Sequence, residues 1–219
     1  MNIKVITISD NDQHAGYLDL KKSLDKFGYN YEHIHAPFAF GTQMKVIYEW
    51  CKKNKDNYTH VLYTDAFDTV ALAPMEEVLK NAPDDVLFFG STEKNCYPIV
   101  ELAVSYPPSE SRWRYCNAGN WIADISWFIK VFEDTHKPDS NDQDWLARQF
   151  LNALKTDSGR VFIDTECEVF QSIAFESDDE FAVTRNKRVL NRLTNSLPVF
   201  IHNNGGQHHV PTWVTDLLK

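Results

Sequence analysis

Continuous apolar runs alternate with stretches of helical spacing along this chain. Ile3 to Ile8 (IKVITI) is β-branched and has no polar alternation, the pattern of a strand buried on both faces. Ser9, Asp10, Asn11 and Asp12 then make a polar loop. Tyr17 to Phe27 carries apolar residues at helical spacing, and Gly28 closes that helix. Tyr29 to Ala36 reads as a second strand. Strand, loop, helix, strand predicts an α/β fold with a mostly parallel sheet flanked by helices, a Rossmann-like arrangement with ligands at the strand C-termini.

The rest of the chain continues in this manner. Met44 to Lys53 has helical spacing, and Val61 to Tyr63 is an apolar strand that stops in Thr64, Asp65, Ala66, Phe67 and Asp68. A short helix follows Pro74 over Met75 to Lys80. Val86 to Gly90 is another apolar strand, followed by polar and aromatic loops to Trp113. Tyr115 to Asp124 sets Asn117, Ala118 and Gly119 among aromatic residues, where small residues allow close approach to a ligand. Ser126 to Thr135 is a helix, and Asp139 to Asp144 is an acidic loop capping a helix over Trp145 to Leu154. Val161 to Asp164 is a strand, Phe170 to Phe181 is mixed, and Pro198 to His202 is a last buried strand running into Asn203, Asn204, Gly205 and Gly206.

Composition narrows the function classes. A chain of 219 residues with 43% hydrophobic positions makes one domain over 1–219 with a sizeable core. Its formal charge of −9 argues against a nucleic-acid surface. Cys51, Cys96, Cys116 and Cys167 are far apart with no CxxC, so they read as reduced thiols, with disulfides left open. The opening residues lack the apolar core of a signal peptide, and no run approaches a membrane span, so a cytoplasmic protein is expected.

The chemistry centres on Asp65 and Asp68. Two carboxylates leaving a buried strand need a positive partner or donors. Mg²⁺ or Mn²⁺ suits them, because hard cations prefer carboxylate oxygens and bridge to phosphates; an Asp-rich turn or helix cap is the alternative. His202 ends an apolar strand in the same way, so two strands delivering Asp, Asp and His to one sheet edge would make a three-ligand site. A capped histidine is the other reading. Asp142 and Gln143 suit either a sugar-binding pair or a helix N-terminus. His33 and His35 point one way along a strand and suit packing or surface roles. His208 and His209 read as solvated. The aromatics, 13% of residues, suit the core, with some left to stack on a sugar or base.

With these residues in view, the chain resembles the glycosyltransferase domain of procollagen lysyl hydroxylases and the related collagen glycosyltransferases, which have a GT-A fold. The likeness runs through VITIS ending at Ser9, QMKV at 43–46, YTDAFD at 63–68, CYP at 96–98, CNAG at 116–119, NDQ at 141–143, ECEVFQ at 166–171 and LPVFIHNNG at 197–205. It implies a metal-dependent transfer of glucose or galactose from UDP-glucose or UDP-galactose to a hydroxyl acceptor, such as hydroxylysine or galactosyl-hydroxylysine of a collagen-like polypeptide. It implies Mn²⁺, with Mg²⁺ as the substitute, held by Asp65, Asp68 and His202. It places Phe67 where the family has a uracil-stacking tyrosine, and Thr7 and Ser9 along the nucleotide. Lys45 falls near the donor, Gly205 near the diphosphate, and Asn117, Asp142 and Gln143 at the sugar or acceptor, with Asp142 nearest the reaction. Asn120 and Trp121 depart from the family pattern, and NNGGQHH lacks the lysine that the family carries after the glycine. A nucleotide-sugar-binding module without turnover is the rival reading. A phosphohydrolase is a weaker one, since it would want D-x-D in place of D-x-x-D.

Overall fold

Val5, Ile6, Val61 and Leu62 have no solvent exposure, as continuous apolar strands require when both sheet faces are covered. The computed structural model describes residues 1–37, 41–136, 141–205 and 209–219. The strands and α-helices in chain order are β1 (Ile3–Ser9), α1 (Ala15–Lys26), β2 (Tyr31–His35), α2 (Thr42–Asn54), β3 (His60–Thr64), β4 (Thr69–Ala71), α3 (Met75–Asn81), β5 (Phe88–Glu93), β6 (Tyr115–Asp124), α4 (Ile125–Thr135), α5 (Asp142–Ala153), β7 (Val161–Ile163), β8 (Phe170–Ser172), β9 (Phe181–Val183), β10 (Val189–Asn191), β11 (Phe200–His202) and α6 (Thr212–Thr215).

The central sheet has the order β2-β1-β3-β6-β5-β7. Only β6 runs against the rest, so the sheet is mostly parallel. Alternate side chains divide between two cores. Val5 and Leu62 pack with Leu20 and Leu24 of α1 and Val78 of α3, while Ile6, Val61 and Tyr63 meet Met44 and Ile47 of α2 and Phe128 of α4. Cys51, Cys96, Cys116 and Cys167 are free and buried. No helix among the described residues is long and apolar enough to cross a membrane.

Three features differ from the sequence pattern. The segment around Asn117 and Gly119 is a ten-residue antiparallel strand in mid-sheet, held by cross-strand pairing where its own small and polar residues disguise it. Trp121 on this strand is a core residue stacked on Phe128 at 5.2 Å between ring centroids. Second, α5 begins at Asp142, because Asn141 caps it by accepting the Asp144 N–H. Third, His202 does not come from the central sheet. It ends β11, the middle strand of a small sheet ordered β4-β11-β8, whose buried residues Val70 and Ile201 pack with Val214 of α6. Asp139, Ser140, Gly206 and His208 lie outside the described residues.

Candidate active site

β3 is fully buried through Thr64, and the chain turns at its C-terminal end, where Asp65 and Asp68 emerge. β4 begins at the next residue and pairs antiparallel with β11, with His202 opposite Thr69. The Asn203 N–H donates to the Asp68 carbonyl at 2.8 Å. The strand that follows the acidic turn therefore recruits the imidazole. His202 Nε2 lies 3.3 Å from Asp68 Oδ1 and 3.5 Å from Asp65 Oδ2, and one ligand atom from each residue falls within 4.8 Å of the others.

Supporting groups fix this trio. The buried Tyr63 hydroxyl donates to Asp65 Oδ1 at 2.6 Å, and the Asp65 N–H donates to the Gly119 carbonyl at 2.8 Å. Gly119 is glycine because a Cβ there would sit 2.1 Å from His202 Cε1 and 2.8 Å from Asp65 Oδ2. A register shift between Gly90 and Ser91 moves their β6 partners from Trp121 to Asn117. Ala118, Gly119 and Asn120 thus bulge away from β5, a device that re-aims residues beside sites.

The two carboxylates dominate the electrostatics of the trio. Burial alone would lower the basicity of His202, but the Asp68 and Asp65 carboxylates outweigh it and hold the imidazole up at about 10. Burial and the Asp68 charge push Asp65 upward, against the His202 contact. Neither imidazole nitrogen has a hydrogen-bond partner of good geometry among the described residues. Buried polar atoms normally find one, and two carboxylates with an imidazole are donors that suit Mn²⁺ or Mg²⁺. The residues therefore fit a divalent cation.

A cavity of about 280 Å³ opens over the trio, past the C-terminal ends of β1 and β3, where ligands of such sheets bind. Ser9, Phe67, Asn117, Asp142, Gln143 and Gly205 all line it. Thr7 and Lys45 do not. Thr7 is wholly buried in β1, and the wall residue contributed by α2 is Gln43. The Ser9 hydroxyl is bonded to His33 Nε2 at 2.8 Å, which gives His33 a packing role beside the cavity. The Phe67 ring lies 4.2 Å from the His14 ring. Its carbonyl occupies the space that a side chain on Gly16 would need, 1.7 Å from the Cβ position. Burial pushes the Asp142 carboxyl up to about 7, and its Oδ1 has no partner among the described residues.

Sequence reasoning missed Glu93 and Tyr97. At the end of β5, Glu93 accepts from Gln143 Nε2 and, at 2.9 Å, from Asn204 Nδ2. Gln143 Oε1 in turn accepts from Asn117 Nδ2 at 3.3 Å. Burial pushes Glu93 up to about 7 against these donors. Tyr97 lines the cavity, and its carbonyl accepts from Gln143. A lone glutamate after a strand gives no pattern. The only signal was that β5 runs parallel to β3 and must end at the same edge.

A mostly parallel sheet flanked by helices, with acidic residues at the exit of a central strand, is the architecture of GT-A glycosyltransferases. Solved glycosyltransferases share it. One, involved in glycosylation of the major capsid of PBCV-1, aligns with TM-score 0.54 and 10% identity over 100% of this chain and 99% of its own. The bifunctional glycosyltransferase WbbM gives TM-score 0.54 and 14% identity over 94% of this chain and 46% of its own.

A family model described as the PLOD GT domain matches residues 1–211, and the chain belongs to that family. Its relatives include procollagen-lysine,2-oxoglutarate 5-dioxygenase 1 of Gallus gallus, 26% identical over 93% of this chain and 30% of that protein. Protein R699 of Acanthamoeba polyphaga mimivirus is 28% identical over 69% of this chain and 32% of its own. The chain thus spans about a third of the length of these relatives.

Proposed function

We propose that this protein transfers a hexose from UDP-glucose or UDP-galactose to a hydroxyl acceptor in a divalent-cation-dependent reaction. One observation carries the reading: Asp65, Asp68 and His202 converge on one point of a cavity wide enough for a ligand, and neither imidazole nitrogen makes a hydrogen bond of good geometry among the described residues. Asp65, Asp68 and His202 would hold a Mn²⁺ or Mg²⁺, which would supply neutralisation of the negative charge on a departing nucleoside diphosphate. Phe67 offers its ring to the uracil, braced from behind by His14. Gly205 lets the backbone come close to the diphosphate. Asn117 and Gln143, oriented by Glu93, are hydrogen-bonding partners for the sugar hydroxyls. We assign Asp142 to the reacting centre, since a carboxyl held near 7 is matched to taking a proton from an incoming hydroxyl.

The relatives named as procollagen lysine dioxygenases support a collagen-like polypeptide as acceptor, through hydroxylysine or its galactosylated form. The test is UDP release from each donor in the presence of gelatin, with Mn²⁺ and with chelator, followed by mass spectrometry of the gelatin. Cation-dependent release with a hexose added to gelatin is expected. UDP-sugar binding with no release under any condition would leave a nucleotide-sugar-binding module in place of an enzyme.

A further inference from the structure

The strand registers put two rows of buried polar side chains into one apolar core. Residues two apart on a strand share a face. In the central sheet, Thr7 is two residues past Val5, Thr64 two past Leu62 and Asn120 two before Ile122, with Asn120 paired to Thr64. In the small sheet, His202 is two past Phe200, Ser172 two past Phe170 and Thr69 two before Ala71, with His202 paired to both Thr69 and Ser172. Val5, Leu62 and Ile122 pack in a single cluster with Ala71, Phe170 and Phe200. Both rows therefore face the core between the two sheets, at its end nearest the Asp–Asp–His trio.

All six of these polar residues are at most 3% exposed. Yet the hydroxyls of Thr7, Thr64, Thr69 and Ser172, both polar atoms of the Asn120 amide and both nitrogens of His202 have no hydrogen-bond partner of good geometry among the described residues. Buried hydroxyls and amides are normally bonded, and deeper in the same molecule they are: Ser23 Oγ donates to the Leu20 carbonyl, and Asn191 Nδ2 to Gln171 Oε1.

The chemistry of the rows says what would satisfy them. Every group but the imidazole is a neutral hydroxyl or amide, and Asn120 Nδ2 can only donate. A cation would leave that donor and the hydroxyl protons facing positive charge. Water donates and accepts, and it is the usual partner of polar groups enclosed in a core. We propose that the two rows enclose a hydration site, an internal water cluster that bridges Thr64 and Asn120 to Thr69, Ser172 and the His202 ring. Its role is to hold the imidazole. A histidine that binds a metal through one nitrogen has its other N–H fixed by a hydrogen-bonding partner, which sets the orientation of the ring. Here water is that partner, because Thr69 and Ser172 flank His202 in register without bonding it. The hydration site stands on its own, and its effect on a cation rests on the transferase reading above.

Oxygen-17 relaxation dispersion of the cation-free full chain counts long-lived internal waters. Thr64→Val, which trades a hydroxyl for a methyl of similar size, and Asn120→Leu should each lower the wild-type amplitude. A crystal structure of the cation-free protein should show ordered water within hydrogen-bonding distance of Thr64 Oγ1 and the Asn120 amide. An amplitude unchanged in both variants overturns the proposal, as does a layer closed by direct side-chain bonds or occupied by a metal ion. In calorimetry, Thr69→Val should raise the Kd for Mn²⁺ about tenfold with the cation-free melting temperature near wild type, and Thr69→Ser should restore the affinity. Wild-type affinity in Thr69→Val overturns the role of the water in holding His202. A wild-type protein that binds no Mn²⁺ overturns the cation reading and that role with it, and the relaxation result then decides the hydration site by itself.

Discussion

His202 stands directly opposite Thr69 in the antiparallel pairing of β11 with β4, and that register sets the imidazole against the carboxylate of the preceding residue, Asp68. A slip of one residue would turn the imidazole to the other face of the small sheet. The two-strand ladder is thus the device that completes the Asp–Asp–His cluster, with a reach that neither the acidic turn nor the histidine has alone.

Asp65→Ala, Asp68→Ala and His202→Ala should each abolish cation-dependent turnover. Mn²⁺ at about 100 times its Kd should raise the wild-type melting temperature by about 5–10 °C, and none of the three variants should show that rise. Differential scanning fluorimetry with and without Mn²⁺ reads this directly. A full rise in any variant removes that residue from the site.

Gly119→Ala removes no ligand, yet its methyl would enter the space held by His202 Cε1 and Asp65 Oδ2. The expected result is a folded protein that has lost the Mn²⁺-induced rise and most turnover. Wild-type Mn²⁺ response in this variant would show that the trio does not depend on the close approach of β6.

Phe67→Ala should weaken UDP binding roughly tenfold, the scale of a lost aromatic contact, while kcat at saturating donor changes little. Isothermal calorimetry with UDP and Mn²⁺ measures the first and donor saturation curves the second. Unaltered UDP affinity would reject the stacking role.

The Asp142 carboxyl titrates near its ordinary value in the unfolded chain and at about 7 in the fold, because burial disfavours its charge. Between those values the folded chain binds the extra proton, so stability falls as pH rises through that window. Glu93, at about 7, acts with the same sign. In cation-free buffer, Asp142→Asn should lose less melting temperature than wild type between pH 5 and pH 8. Parallel curves for the two proteins would show that Asp142 is not charged at a cost in the fold.

Asp164 is 4% exposed and accepts N–H groups from Glu168, Val169 and Phe170, the last two at 2.8 Å. It ties the end of β7 to the start of β8, the neighbour of β11. Asp164→Ala should cost about 3 kcal/mol of unfolding free energy, read by urea denaturation. A loss near zero would mean that the freed amides find water without cost.

Elements that rest on apolar continuity are readable in the sequence. β1, β3 and β11 are built on short apolar runs, and the acidic turn and the histidine stand at the ends of β3 and β11. β6 was not readable, since Asn117, Gly119 and Asn120 interrupt its periodicity and only pairing with β3 and β5 makes it a strand. The strand ends point to the Asp65, Asp68 and His202 set and the family likeness adds to it, but the expectation of a single sheet edge fails, since β11 pairs with β4 and β8 in a separate sheet and its three residues carry no sign of their partners. Glu93 and Tyr63 stayed hidden because their importance lies in hydrogen bonds to residues far away in sequence. Lys45 illustrates the opposite limit, a charged residue in a motif of the family likeness whose helix presents Gln43 to the cavity instead.

The small sheet also imposes an order in time. Synthesis delivers both acids well before the imidazole, because all six strands of the central sheet precede β11 in the chain. A nascent chain that has not yet added β11 has both acids but not the imidazole of the cluster. The Asp–Asp–His cluster is therefore complete only when β11, made after every strand of the central sheet, pairs with β4.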